Sequence, residues 1–117
     1  MPFKFENLQV WQKAIHLSLK IHELTRNFPK EETYILTAQI KRAADSIALN
    51  VAEGSTGQSN AEFAKFVSYA IRSAIEVVTC LHLGRSRNLI IKETFEELYC
   101  SMQDIIRMLQ ALRKSLL

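Results

Sequence analysis

The sequence predicts an all-α fold, an up-down-up-down antiparallel four-helix bundle that forms a single domain over residues 1–117. Three observations support this prediction. Apolar residues recur at alternating steps of three and four in four segments, which places them on one face of a helix. The four segments have similar lengths, and short stretches of turn or capping residues separate them. Because the connections are short, consecutive helices are expected to run antiparallel.

The first two predicted helices span residues 8–27 and 31–53. The first ends at Phe28, because the residue before a proline disfavours the α conformation. The second starts with Glu31 and Glu32, whose charges complement the positive end of a helix dipole. This second helix has the most regular apolar face of the chain, so we expect it to be central in the bundle.

A row of small residues lies beside the apolar face of the second helix. It consists of Ala44, Ala48 and Ala52, spaced four residues apart. Small side chains at this spacing allow a neighbouring helix to approach more closely than a row of leucines would. We therefore expect a close helix–helix contact along this row.

The third and fourth predicted helices span residues 60–87 and 93–116. A polar loop containing Gly54 and Gly57 precedes the third helix. Ser59 and Glu62 have the spacing of a capping box, in which each side chain bonds a free backbone N–H at a helix start. The fourth helix contains no proline or glycine, so its apolar seam is expected to be continuous.

A polar line follows the apolar face from the second helix to the third. Its members are Ser46, Asn50, Glu53, Ser73 and Glu76. The preferred interpretation is structural, with Glu53 and Glu76 hydrogen-bonded to the hydroxyl and amide groups so that they fix the register of the helices. The alternative is that Glu53, Glu62 and Glu76 lie near one another and that a buried pair of them, with shifted pKa values, performs acid–base chemistry. No nucleophile, metal ligand set or cofactor loop accompanies these residues, so the prediction is a non-enzymatic protein without a cofactor.

Composition indicates a folded cytoplasmic protein. The chain is 48% hydrophobic and carries a net charge of +3 from 15 basic and 12 acidic residues, an excess that allows polyanion binding without requiring it. No segment resembles a signal peptide or a membrane span, and the three histidines are scattered, so neither a membrane nor a metal is expected. Cys80 and Cys100 are predicted to be small apolar residues of a reducing compartment. An antiparallel helix pair would also be able to bring the two thiols together, and that alternative stays open.

Several stretches together resemble the 23S rRNA intervening-sequence protein family. They are LQVWQKAIHL, TRNFPKEE, QIKRAADSIALNVAEGS and SNAEFAKFVSYAIRSAIE, followed by a leucine-rich helix. The resemblance implies a four-helix-bundle protein related to the accessory protein of diversity-generating retroelements. It also implies a homopentamer, with nucleic acid and a reverse transcriptase as possible partners. Gly84 and Arg87 depart from this pattern, since alanine and an apolar residue are expected there.

Surplus apolar residues support self-association independently of the resemblance. The predicted interface residues are Trp11, Ile15, Phe66, Tyr69 and Tyr99. They exceed what one bundle seam can bury, and monomers rarely expose such groups in clusters. The alternative interpretation is that they thicken the core of a monomer.

Two functions are compatible with this surface. The first is binding of RNA or DNA through Lys41, Arg42, Arg85 and Arg87, with contacts multiplied by the symmetry of an oligomer. Other basic residues would extend these bands, namely Lys13, Lys20, Arg26, Lys30, Lys65 and Arg72. The alternative is a protein-binding scaffold or adaptor, in which the basic residues only keep the surface soluble.

Overall fold

The computed structural model describes residues 2–117 and contains four α-helices. They are α1 (Gln9–Thr25), α2 (Ala38–Ser55), α3 (Asn60–Ser86) and α4 (Lys92–Leu116). Consecutive helices pack against each other, and α4 returns to contact α1, which closes a bundle of 43 × 23 × 22 Å. No strand occurs in this part of the chain. The predicted all-α four-helix bundle is confirmed; Met1, which the single-domain prediction includes, lies outside the described residues.

The predicted seams form the core of the bundle. Each helix contributes residues that are almost completely buried, spaced three or four apart, including Ile21, Ile47, Val67 and Leu109. Phe28, which follows α1, is also buried and closes one end of the core. The apolar residues at steps of three and four, which predicted the helices, are therefore also the residues that pack the helices against one another.

The row of small residues lies at the packed side of α2. Ala44 is fully buried, Ala48 is nearly so, and Ala52 is half-buried at the edge. The row leads to Gly54, whose α-carbon lies so close to α3 that an added β-carbon would be 2.6 Å from the Cβ of Phe66. The close approach between α2 and a neighbouring helix thus occurs at the end of the row, and glycine permits it.

The start of the second helix differs from the prediction. Residues 31–53 were expected to form one continuous helix, but the chain first forms a 3-10 turn (Lys30–Glu32) and then a π turn (Thr33–Thr37). The Glu32 side chain accepts a hydrogen bond from the Leu36 backbone N–H, so it caps the wide turn rather than a regular α-helix. Leu36 is buried as a result, while Tyr34 lies almost entirely in solvent. The first helix also ends earlier than expected, at Thr25, and α2 continues to Ser55.

The end of α3 is fixed by three local features. Asn88 adopts a positive φ of 60°, which ends the helix. The Leu89 backbone N–H donates to the carbonyl of Gly84 over 2.8 Å. The side chain of Ile90 folds back against Gly84, so the glycine that departs from the expected alanine is buried and well packed.

Helix α3 is also the only helix among the described residues that is long and apolar enough to cross a membrane by length and composition. A core helix of a bundle satisfies the same criterion, and the apolar seam of α3 is buried against α2 and α4. The composition of α3 is therefore explained by its packing.

Candidate nucleic-acid interface

The four predicted basic residues differ in whether they have partners inside the protein. Lys41 and Arg42 lie in the first half of α2 and make no ion pair with any residue of the described chain. Arg87 instead forms an ion pair with Glu32, with 3.2 Å between Nη1 and Oε1. Arg85 donates to the carbonyl oxygen of Ile90. Half of the predicted set therefore has partners inside the protein, which reduces what it can offer to a ligand.

A groove that begins between α3 and α4 and continues along α4 carries basic residues outside the predicted set of four. It consists of two adjoining depressions of about 330 and 410 Å³ that share Gln110. The lining residues, here called the arginine groove, are Ser68, Ile71, Arg72, Gln103, Ile106, Arg107, Gln110 and Arg113. The residues that line it include three arginines and no carboxylate; Asp104 lies beside the lining and pairs with Arg107, so the remaining net positive charge favours an anion.

Local contacts orient two of the three arginines. The Nε of Arg113 donates to the Ser68 hydroxyl over 2.8 Å, which ties the end of α4 to α3. Arg107 pairs with Asp104, which lies three residues earlier on α4, and the Arg107 side chain remains 72% exposed. Arg72 is exposed and makes no ion pair within residues 2–117. The guanidinium groups of Arg72 and Arg113 are thus the least neutralised charges in the groove.

Sequence reasoning named Arg72 only as one of many basic residues and missed Arg107 and Arg113. A pattern in α4 would have indicated them, because Gln103, Arg107 and Gln110 follow steps of four and three like an apolar seam. This polar stripe therefore lies along one side of α4. Its pairing with Arg72 on α3 depends on the register of two helices, which the sequence does not specify.

The groove between α1 and α4 has a different character. Its central depression, of about 110 Å³, is lined by Lys13, His16, Lys20 and Asp104 among others. Lys13 pairs with Asp104 and Lys20 pairs with Glu97. Hydrogen bonding and the adjacent positive charge lower the pKa of each carboxyl group below its ordinary value. Because both lysines are neutralised, this groove is a salt-bridged seam between helices rather than an anion site.

The predicted polar line is only partly connected. Asn50 donates to the backbone carbonyl and the hydroxyl of Ser46, and the Ser73 hydroxyl donates to Ser46 over 3.0 Å. Glu76 accepts from Gln39 instead of from a hydroxyl, and the exposed Glu53 side chain takes no part in the network of the described residues. The two carboxylates are therefore exposed and do not form a buried pair.

The predicted interface residues lie on three separate faces. Trp11 packs edge-on against Phe5 at the start of α1, and Ile15 is exposed one turn further along. Phe66 and Tyr69 contact each other on α3, with ring centroids 5.6 Å apart. Tyr99 is half-buried where α4 packs on α3. It stacks on Phe95 and contacts His82 edge-on, away from the arginine groove. Tyr99 therefore takes part in the packing of α4 against α3 within the chain.

Two exposed leucines were not anticipated. Leu19 lies one turn after Ile15 on α1 and is 54% exposed, and Leu49 on α2 is 62% exposed. The Ser18 hydroxyl donates to the Asp45 carboxylate across the contact between α1 and α2. Since Leu19 follows Ser18 and Leu49 lies one turn after Asp45, both leucines border this contact. These two leucines, the exposed Ile15 and the half-buried Trp11 are here called the α1–α2 strip.

The cysteines and the other potential metal ligands are dispersed. Cys80 is buried, Cys100 is exposed, and both are free thiols. Burial raises the pKa of the Cys80 thiol, and the nearby Glu76 carboxylate adds to the effect. Among residues 2–117, no group of three or more His, Cys, Asp or Glu side chains could hold a metal ion.

These features define an all-α bundle protein. Its surface carries the arginine groove and the α1–α2 strip. The model of the 23S rRNA-intervening sequence protein family matches residues 6–111, and the chain belongs to that family. Its structure is similar to the crystal structure of a protein with unknown function from the S23 ribosomal protein family of Bacteroides thetaiotaomicron VPI-5482. The two chains are 25% identical with a TM-score of 0.83, over 90% of this chain and 95% of the other. A comparison with curated proteins found no match.

Proposed function

We propose that this chain is a non-enzymatic, homo-oligomeric four-helix-bundle protein of the cytoplasm that binds RNA through basic surface residues. The observation that carries the proposal is the adjacent pair Lys41 and Arg42 on α2, which has no ion-pair partner among residues 2–117. The relation of the family to the 23S rRNA intervening sequence favours RNA over other polyanions. Because no recognised readout motif is present, the binding would depend mainly on phosphate contacts and tolerate many sequences.

Filter binding of a labelled RNA across a salt series tests this proposal. Affinity should fall steeply as salt rises, because each phosphate contact releases counterions. The variant Lys41→Gln/Arg42→Gln should retain less RNA than the wild type. Arg85→Gln/Arg87→Gln removes the same number of charges and is the matched control, since Arg85 donates to a backbone carbonyl and Arg87 pairs with Glu32. Negligible RNA binding by the wild type at low salt would overturn the proposal.

Self-association is the second part of the proposal, and the α1–α2 strip supports it. Exposed apolar side chains that adjoin one another are typical of protein interfaces. A pentamer, as implied by the resemblance, requires a head-to-tail contact, because an odd-numbered ring cannot form from two-fold interfaces. Light scattering should give the mass of a closed oligomer for the wild type. A stable monomer at micromolar concentration would remove this part of the proposal.

The same strip supports the alternative function of a protein-binding scaffold. In that case the strip would be covered by another protein, for instance a reverse transcriptase, and the basic residues would only solvate the surface. An oligomer that binds no RNA at low salt would favour the scaffold. The variant Leu19→Glu/Leu49→Glu would then abolish the protein contact while the helical signal in circular dichroism remains.

A further inference from the structure

We infer that the arginine groove between α3 and α4 is the binding track for single-stranded RNA. This inference rests on the proposed RNA binding and names the site and the form of RNA that it takes. The charge of the groove, its chemical variety and its shape each support this assignment.

The charge of the groove suits phosphate. Three arginines line it and no carboxylate does, although the whole chain has only three more basic than acidic residues. Arginine presents a planar fork of donors that matches two phosphate oxygens at once. Arg113 uses its Nε for Ser68, and its two terminal nitrogens make no hydrogen bond within residues 2–117. Arg72, on the opposite helix, supplies the second free guanidinium.

The groove also contains groups that a bare phosphate site does not need. Ile71 and Ile106 provide an apolar surface, and Gln103 and Gln110 provide amide donors and acceptors. Unpaired bases stack on apolar groups and on guanidinium planes, and amides hydrogen-bond their edges. Each nucleotide of a single strand carries a phosphate, a flat base face and a hydrogen-bonding base edge, which matches the repeated arginines, isoleucines and glutamines of the groove. The combination therefore favours a polynucleotide over an acidic protein segment.

The shape of the groove favours a single strand. It is a depression on the surface that runs along α4 from Gln103 to Arg113 and reaches α3 at Arg72, so a single strand can follow it lengthwise. A double-stranded RNA keeps its base edges in a deep and narrow major groove, where these side chains would not reach them. Only an unpaired segment presents phosphates and bases together to the arginines, glutamines and isoleucines of this groove.

The test compares two variants of equal charge. Arg72→Gln/Arg113→Gln removes the two least neutralised cations of the groove, and the control Lys4→Gln/Lys92→Gln removes two exposed lysines elsewhere. Fluorescence anisotropy with labelled oligouridine should show roughly tenfold weaker binding for the groove variant, because hydrogen bonds to charged groups are the strong ones. Its log–log salt slope should fall by about 1.4, since single strands release about 0.7 counterion per phosphate contact. The control should bind like the wild type.

Four other results would overturn the inference. If the wild type binds RNA and the groove variant binds equally well, the groove is not the track, while the proposed function stands. If the wild type binds no RNA at low salt, both fail. Tighter binding of a duplex than of oligouridine would reject the single strand. Displacement of oligouridine by polyglutamate of equal charge, as efficient as by unlabelled RNA, would assign the groove to an acidic protein segment.

Discussion

The side chain of Ile90 occupies the space that a side chain at Gly84 would need. A β-carbon built on Gly84 would lie 2.5 Å from the Cδ1 of Ile90, and Ile90 is 1% exposed. Because Gly84 has no side chain, the isoleucine in the following loop can pack directly against α3. A departure from the expected family pattern at Gly84 is compensated by a residue six positions later.

Gly84→Ala should destabilise the bundle by about 1 to 2 kcal/mol. Overpacking a core typically costs about 1 to 3 kcal/mol, and the better helix propensity of alanine offsets up to about 1 kcal/mol of that. Urea denaturation measures the change. Adding Ile90→Val, which removes the conflicting methyl group, should recover part of the loss. If the effects of Gly84→Ala and Ile90→Val on the free energy of unfolding simply add in a double-mutant cycle, the contact between these two positions is not the cause of the destabilisation.

Gly54→Ala should destabilise the protein more than Gly84→Ala. The obstacle at Gly54 is the Cβ of Phe66, at 2.6 Å, with the backbone oxygen of Phe63 at 3.3 Å. Neither atom can move without shifting α3, whereas Cδ1 of Ile90 is the end of a side chain. We expect a loss of about 3 kcal/mol, at the upper end for overpacking. A higher urea midpoint for Gly54→Ala than for Gly84→Ala would contradict the close approach of α2 and α3.

Much of the fold was predictable because each helix carries its own seam. The periodicity of residues such as Ile47 and Val67 is local, and it identified the buried face of every helix before any packing was known. The π turn before α2 was not predictable, because it depends on the hydrogen bond from the Leu36 backbone N–H to the Glu32 side chain. Glu32 in turn forms an ion pair with Arg87, which directly follows α3. A contact between residues 55 positions apart leaves no pattern in the local sequence.

The surface was less predictable for the same reason. Arg87 was expected to face a ligand, but it is paired with Glu32, and only the arrangement of the helices reveals this. Conversely, Arg72 and Arg113 come together because α3 and α4 pack in one particular register. Charges are visible in a sequence, whereas the partner of each charge is a property of the fold.

Ala48→Leu should destabilise the protein by about 1 to 3 kcal/mol through overpacking. Ala48 is buried in the row of small residues, between the fully buried Ala44 and the half-buried Ala52. Leu49→Ala is a suitable control on the next position, because Leu49 is largely exposed in the subunit. Thermal unfolding followed by circular dichroism would compare the two variants. An unchanged midpoint for Ala48→Leu would show that the row leaves unused space.

Cys100 should react with a thiol reagent in the native protein, and Cys80 should not. Cys100 is exposed, while burial both shields Cys80 and raises its pKa, which lowers the fraction of reactive thiolate. We expect one rapidly labelled thiol per chain under native conditions and two in denaturant. Cys100→Ser should abolish the rapid phase. Loss of both thiols in the absence of reductant would instead indicate a disulfide and contradict the free state of the two residues.

The salt-bridged seam between α1 and α4 should contribute to stability only above acidic pH. The pKa of Glu97 is lowered by the hydrogen bond and charge of Lys20, and that of Asp104 is lowered by hydrogen bonds from Lys13 and Arg107. A carboxyl group with a lower pKa in the folded state stabilises the protein fully above its unfolded value, here near 4.5 for Glu97 and 3.8 for Asp104. This stabilisation disappears as the pH falls through the folded values.

The variant Lys13→Met/Lys20→Met isolates this effect. At neutral pH its melting midpoint should lie below that of the wild type, and the difference should shrink as the pH is lowered past the two carboxyl pKa values. Added salt should also reduce the difference at neutral pH, because both pairs are exposed and therefore screened. A difference that stays constant from neutral to strongly acidic pH would assign the role of the lysines to the packing of their aliphatic chains.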